Sequence, residues 1–274
     1  PILGIHGKFI EFGSRSYISK RRLGLTGSAL AGEKRKYPLD IDEAFIEQGK
    51  LSPFDVIKLN EQISYNSGTN GRVITGNFVW LDQEKTKVAW NPTETGRWKQ
   101  CWMPNQQDRN KVVLSGRHRK PGNYTTIVSG CDPFDHKITT DGKKSNGASY
   151  VFRKLDPLDS GSSNIFVCEY VNRPATPEMF YDDLAKQSVF YGCELLCENN
   201  KIGLIRWFEN NGFSSYLMER PMETHTEYSR KRQSEKGIPM SGEAVREAAV
   251  SVTESYIYEN TGRDYDTNLF PGFV

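Results

Sequence analysis

The sequence predicts an α/β chain: a mixed sheet flanked by helices, entered through an aromatic β-hairpin and linker region. Three observations predict it. Short apolar runs between Thr125 and Val171 give three adjacent strands. The chain after them reads helix, strand, helix, strand, the alternation of a layered α/β core. Before them, Trp- and Val-rich segments are punctuated by Gly, Pro, Asn and Asp, as hairpins are.

Residues 1–70 read as a linker of loop and short helices. Ser52 and Pro53 form a cap followed by a first-turn proline, with helical apolar spacing at Phe54, Ile57 and Ile63. The character changes at 71–114, where RVITGNFVWLD, KVAWNP and GRWKQCWMP are short and aromatic. Their tryptophans alternate with polar residues, so they are expected to pack on a sheet rather than stack on bases. A hairpin subregion is therefore placed at 71–120 and the core at 122–260.

Within that core, TTIVSGC (125–131) is a strand ending at Asp132 and Pro133. ASYVF (148–152) is a second strand, and IFVCEYV (165–171) a third, in which Glu169 alternates with apolar neighbours and is expected to face outward. Thr176 caps a helix with Pro177 at its first position, stopping near Gly192. CELLC (193–197) is a fourth strand, 201–210 another helix, and Phe213 to Met218 a fifth strand. A polar stretch (219–240) precedes a last helix over Glu243 to Tyr258, striped by Val245, Ala249, Val252 and Tyr256.

Apolar residues make up 36% of the chain and charged residues 26%, with no apolar run near the roughly 20 residues that span a bilayer. The first residues, PILGIHGKFIEF, lack a signal-peptide pattern and an initiator Met, which suggests a fragment. A net charge of +2 does not announce a polyanion partner, so local density matters instead. Basic clusters occur at 20–22, 34–36, Arg117 to Lys120 (with His118 and Arg119) and Arg230, Lys231 and Arg232. Each suits either phosphate contacts or a solvated loop. Five cysteines, mostly in strand-like runs, fit buried thiols in a reducing cytoplasm.

The chemistry-bearing candidates are two carboxylates, Asp132 where the first core strand gives out and Glu198 where the fourth does. Sites in open α/β sheets gather at such strand ends. If the strands are neighbours, two anions about 4 Å apart repel by roughly 4 kcal/mol at an effective dielectric near 20. A shared divalent cation removes that cost, and carboxylate oxygens suit Mg²⁺ or Mn²⁺. The bland alternative is a turn at Asp132-Pro133 and a helix cap at Glu198, Asn199 and Asn200.

IVSGCDPFDH (127–136) followed by SNGASYVF (145–152) resembles the opening of the nuclease domain of tailed-phage terminase large subunits, where a strand delivers the first metal-binding Asp. YVNRPATPEMFYDDL (170–184) is similar to the helix before that family's second acidic strand, and CELLCENNKIGLIRWFENNG (193–212) to the acidic motif itself, with Glu198 in the ligand position. EKRKYPLDIDEAF (33–45) resembles the segment joining the motor ATPase to the nuclease. The Asn-rich flavour is similar to that of crAss-like phages of Bacteroidetes.

The resemblance implies a ribonuclease-H-like nuclease domain over 71–274 that follows an ATPase domain absent from this chain. It implies an Mg²⁺- or Mn²⁺-dependent endonuclease with a two-ion site, cutting concatemeric double-stranded DNA at packaging initiation and termination. Arg230, Lys231 and Arg232, with Arg117, Arg119 and Lys120, would hold the DNA backbone. Implied partners are the portal and small terminase subunit, in the cytoplasm of the infected bacterium and away from membranes. The family's third metal-binding Asp is expected beyond Val274, or else at Asp264 or Asp266. Rival readings are another ribonuclease-H-like nuclease (a resolvase or integrase) and a non-catalytic DNA-binding or portal-docking module.

Other motifs are set aside. The run Gly27 to Lys34 (GSALAGEK) nearly spells a phosphate loop, but Glu33 stands where Lys is needed, so no ATP site is expected. Cys193 and Cys197 lie about 13 Å apart on a strand, too far to share zinc. His136, four residues after Asp132, is either a loop histidine or a group near the metal or a phosphate, and Asp135 is ambiguous in the same way.

Overall fold

The computed structural model describes residues 2–3, 9–11, 13–40, 43, 54–56, 58–60, 62–63, 73–134, 145–159, 163–200, 202–221 and 235–260. Of these, the residues within 1–62 and 250–262 form one compact unit, and those within 63–249 form a second.

In the first unit, β1 (Ile2–Leu3) pairs antiparallel with β2 (Phe9–Glu11), and α1 (Ser14–Arg22) and α2 (Gly27–Lys36) follow. The Arg22 guanidinium grips both Glu43 oxygens at 2.8 and 2.9 Å and also donates to the Tyr37 carbonyl at 2.8 Å. That grip holds the Glu43 carboxyl below its ordinary range. Arg21 pairs with Glu33 and lies over the Tyr37 ring. Arg21 and Arg22 of the 20–22 cluster are thus engaged by carboxylates of their own unit.

The second unit is built on a seven-stranded sheet. Its strands are β3 (Ile74–Trp80), β4 (Val88–Pro92), β5 (Trp98–Gln100), β8 (Ile127–Asp132), β9 (Gly147–Arg153), β10 (Ile165–Asn172) and β11 (Glu194–Cys197). The order across the sheet is β11-β8-β9-β10-β5-β3-β4. The β11–β8 pair is parallel and the other five are antiparallel, so the sheet is mixed. β6 (Val112–Ser115) and β7 (His118–Pro121) form a separate two-stranded ribbon. Much of the aromatic stretch therefore extends the main sheet: Cys168 on β10 pairs with Gln100, and Tyr170 with Trp98.

α3 (Pro177–Tyr191) covers one face of the sheet. The Thr176 hydroxyl accepts the Met179 amide at 3.4 Å, Pro177 takes the first turn, and Gly192 closes the helix at φ 58°, in the left-handed region glycine adopts freely. Phe180, Leu184 and Val189 of α3 are fully or almost fully buried with Trp98, Tyr170 and Leu195 of the sheet. Each such side chain contributes about 1.5–3 kcal/mol relative to exposure. α4 (Ile202–Asn210) packs on α3 through Leu204 and Phe208. The last helix, α5, spans Glu243–Asn260.

Two local expectations change. Phe213 to Met218 is not a strand: Ser214–Tyr216 is a 3-10 turn, and Leu217 alone makes a parallel bridge to Leu195. Phe213 stacks on Trp80 and Trp207 and is buried, and this anchoring pulls the chain inward ahead of the turn. Glu169 does not face solvent. Its side chain is 2% exposed and accepts a 3.0 Å hydrogen bond from Lys99, a pairing across seventy residues of chain that a strand pattern does not reveal.

Candidate functional site

β8 and β11 run side by side in the same direction, with Val128 opposite Glu194 and Cys131 opposite Cys197. One residue further on, Asp132 and Glu198 occupy the next matched positions at the carboxyl ends of the two strands. Neighbouring strands lie about 4.8 Å apart, so the two backbones present these acids side by side.

Alternation decides which way they point. Ile127, Ser129, Leu195 and Cys197 are buried on the face that α3 covers. Asp132 is exposed and Glu198 half-buried, so both project from the opposite face. β8 stops there because Pro133 follows and has no N–H to continue the ladder. The end of β11 is held from its outer side. Ile238 donates its amide to the Cys197 carbonyl at 2.8 Å and accepts the Asn199 amide at 3.0 Å.

Gly237 permits that contact. At φ 76°, its added Cβ would meet the Cys197 carbonyl oxygen at 2.5 Å, closer than any real contact. The Asn200 amide donates to Glu198 Oε1 at 2.8 Å and so orients that carboxylate. Gly237 carries no sequence signal for this role, because it depends on which segment lies beside β11, whereas the Asn200 contact is local, two residues from Glu198.

Two concavities lie along this part of the sheet, one reaching Asp132 and the other the start of β11. An apolar trough of about 370 Å³ runs along the open face of β8 and β9, walled by Val128, Ala148, Tyr150, Phe152, Phe166 and Leu196, with Asp132 among its lining residues. A larger cleft, of about 800 Å³, lies between the β6–β7 ribbon and the far side of β11. Arg119 and Lys120 line it, together with His118, Glu194, Glu219 and Lys236. Burial raises the Glu194 carboxyl above its ordinary value, against the pull of Lys120 and Lys236.

The thiols belong to the core. All five cysteines are unlinked by disulfides, and burial pushes both Cys193 and Cys197 up to about 12. Thiolate ligation by this pair is therefore disfavoured near neutral pH.

Asp132 and Glu198 thus stand at matched positions on one face, and Arg119 and Lys120 line the cleft at the start of β11. Arg117 sits at the ribbon's turn, exposed, and is not part of the cleft wall. Arg230, Lys231, Arg232, Asp264, Asp266, Asp135 and His136 lie outside the described residues. Among the described residues there is no group of three or more His, Cys, Asp or Glu side chains placed to hold a metal ion. No described helix is long and apolar enough to cross a membrane. Comparison with protein-family models, curated proteins and solved structures finds no match to this chain.

Proposed function

We propose that this chain carries a metal-dependent DNA endonuclease site of the ribonuclease-H-like kind, with Asp132 and Glu198 as its first two carboxylate ligands. The observation that carries the reading is the parallel β8–β11 pair delivering both acids, in register, to the same open face. The wider topology supports it. Three antiparallel strands (β10, β9, β8) are followed through a helix by a parallel fourth strand beside the first, with a further parallel bridge at Leu217 beyond it. This arrangement supports reading the sheet as ribonuclease-H-like, and the motif order described above is what suggests a role in packaging-type cleavage of viral DNA.

The donor set fits a hard divalent cation. Two side-by-side carboxylates offer oxygen ligands, and solvent reaches the pair from the open face. When bound, Mg²⁺ or Mn²⁺ would supply charge neutralisation and water activation for phosphodiester hydrolysis. Asp132 and Glu198 would be the side chains that hold that ion. Asn200 fixes the rotamer of Glu198, and the neighbouring basic side chains hold the DNA backbone without reading sequence.

The test is linearisation of supercoiled plasmid with Mn²⁺ by wild type, Asp132→Ala and Glu198→Ala. Wild type should nick and linearise, and each substitution should abolish cutting while the protein keeps its DNA affinity. Cutting that survives Asp132→Ala would overturn the site. Binding without cutting by wild type would assign the chain to a docking module instead.

A further inference from the structure

We propose that the cleft between the β6–β7 ribbon and β11 seats the sugar–phosphate backbone of one strand of duplex DNA, with Lys120 and Lys236 exchanging their carboxylate partners for phosphates. The inference rests on the nuclease reading for what lies at the far end of the path.

The placement comes from register and alternation. Glu194, Leu196 and Glu198 share one face of β11, the face on which Asp132 also projects. Lys120 Nζ on β7 reaches Glu194 Oε1 at 3.9 Å, so the ribbon overhangs that same face at the start of β11. The other wall is the segment beyond β11: Met218 donates to the Leu195 carbonyl, Gly237 donates to Met218, and Ile238 donates to Cys197. This wall carries Lys236 and Glu219, paired at 3.3 Å, up to the position beside Glu198. From Glu194 to Glu198 is four residues, or about 13 Å of strand. At about 3.4 Å of rise per nucleotide, that separates the cleft from the acid pair by about four nucleotides of B-form DNA.

The chemistry selects a polyanion. Arg119, Lys120, Lys236 and His118 line the cleft with the hydroxyls of Ser115, Ser214 and Ser215, all donors to phosphate oxygens. Its two carboxylates are held loosely. The Lys120–Glu194 contact is weak because it is long, at 3.9 Å, and the Lys236–Glu219 contact is weak because Glu219 is 60% exposed. A phosphate backbone entering the cleft finds lysines already aimed into it and displaces only those weak partners. A cleft of about 800 Å³ admits one strand's backbone, not a whole duplex, so the duplex lies across it with one strand seated.

The experiment is fluorescence anisotropy with a short, labelled, mixed-sequence duplex, read without divalent metal between about 50 and 200 mM salt. Lys120→Gln and Lys236→Gln should each lower the slope of log affinity against log salt by about 0.9, with thermal stability unchanged. Glu219→Gln should do the opposite and tighten binding by up to about fivefold, because Lys236 loses its competing partner. A merely structural role for these residues predicts no tightening. Unchanged slopes in both lysine variants, or weaker binding by Glu219→Gln, would overturn the proposal. The two readings fail separately. A wild type that cuts plasmid while the lysine slopes stay put loses the cleft and keeps the nuclease. One that shows the slopes but never cuts loses the nuclease and keeps the cleft.

Discussion

Arg97→Ala tests how α3 is fastened behind the acid pair. Arg97, just before β5, clasps Asp183 of α3 with two hydrogen bonds, Nε to Oδ2 at 2.8 Å and Nη2 to Oδ1 at 2.9 Å. The Asp183 side chain is 3% exposed and the Arg97 side chain 31%, so the two partners are not equivalent. Removing the arginine leaves a buried carboxylate with only Lys186, 3.5 Å away, as a charged partner. Stranding a buried charge costs about 3–5 kcal/mol. For a chain of this size that is about 6–20 °C in Tm, at about 2–4 °C per kcal/mol.

Removing the aspartate instead, as Asp183→Asn, leaves a guanidinium that already reaches solvent, so the loss should be smaller. The pH dependence has a definite sign. Burial already raises the Asp183 carboxyl above its ordinary value, outweighing the attraction of Arg97 and Lys186. A carboxyl raised in the folded state contributes stability that is present in acid and is lost as pH rises through its folded value. Without Arg97 that value climbs further, so the Arg97→Ala deficit should widen between about pH 5 and pH 8. Urea titrations followed by tryptophan fluorescence at the two pH values measure it. A deficit below about 1 kcal/mol at neutral pH, or one of equal size at both, would refute the buried-charge argument.

Three further outcomes are expected. Gly237→Ala forces a Cβ to within 2.5 Å of the Cys197 carbonyl at φ 76°, so it should cost at least about 1–2 kcal/mol and disturb Glu198. Its amide-exchange protection at Ile238 should drop before that of α3 does, and uniform loss would argue against a local effect. Thr176→Ala removes the cap of α3 and should cost about 0.5–1 kcal/mol by chemical denaturation, the low end because the hydrogen bond is 3.4 Å long. Asp132→Ala, at an exposed position, should change stability by no more than about 0.5 kcal/mol while abolishing plasmid cutting. A large Tm loss would mean the residue serves the fold.

Much of the second unit was legible in the chain itself. Thr176, Pro177 and Gly192 bound α3 because capping, first-turn proline and left-handed glycine are local chemistry. The ends of β8 and β11 were legible for a similar reason, since Pro133 and the Asn199–Asn200 pair stop a ladder wherever it lies. The segment Phe213 to Met218 does not form the expected strand because Phe213 is held between Trp80, far away in sequence, and Trp207 of α4. Glu169 was misread for the same kind of reason, its partner Lys99 being on another strand of the sheet.

What the sequence determined by itself was therefore the extent of α3, α4, α5 and of β8 to β11 to within a residue or two, and that Asp132 and Glu198 each stand at a strand end. Those properties come from backbone dihedral preference and side-chain periodicity, which act within a few residues. Only the tertiary structure decided that β8 and β11 are parallel neighbours in matched register, so that the two acids share one face. It likewise set Lys236 and Glu219 opposite the β6–β7 ribbon across the cleft. Strand pairing is chosen by burial and hydrogen bonding between segments tens of residues apart, and no local pattern encodes which edge meets which.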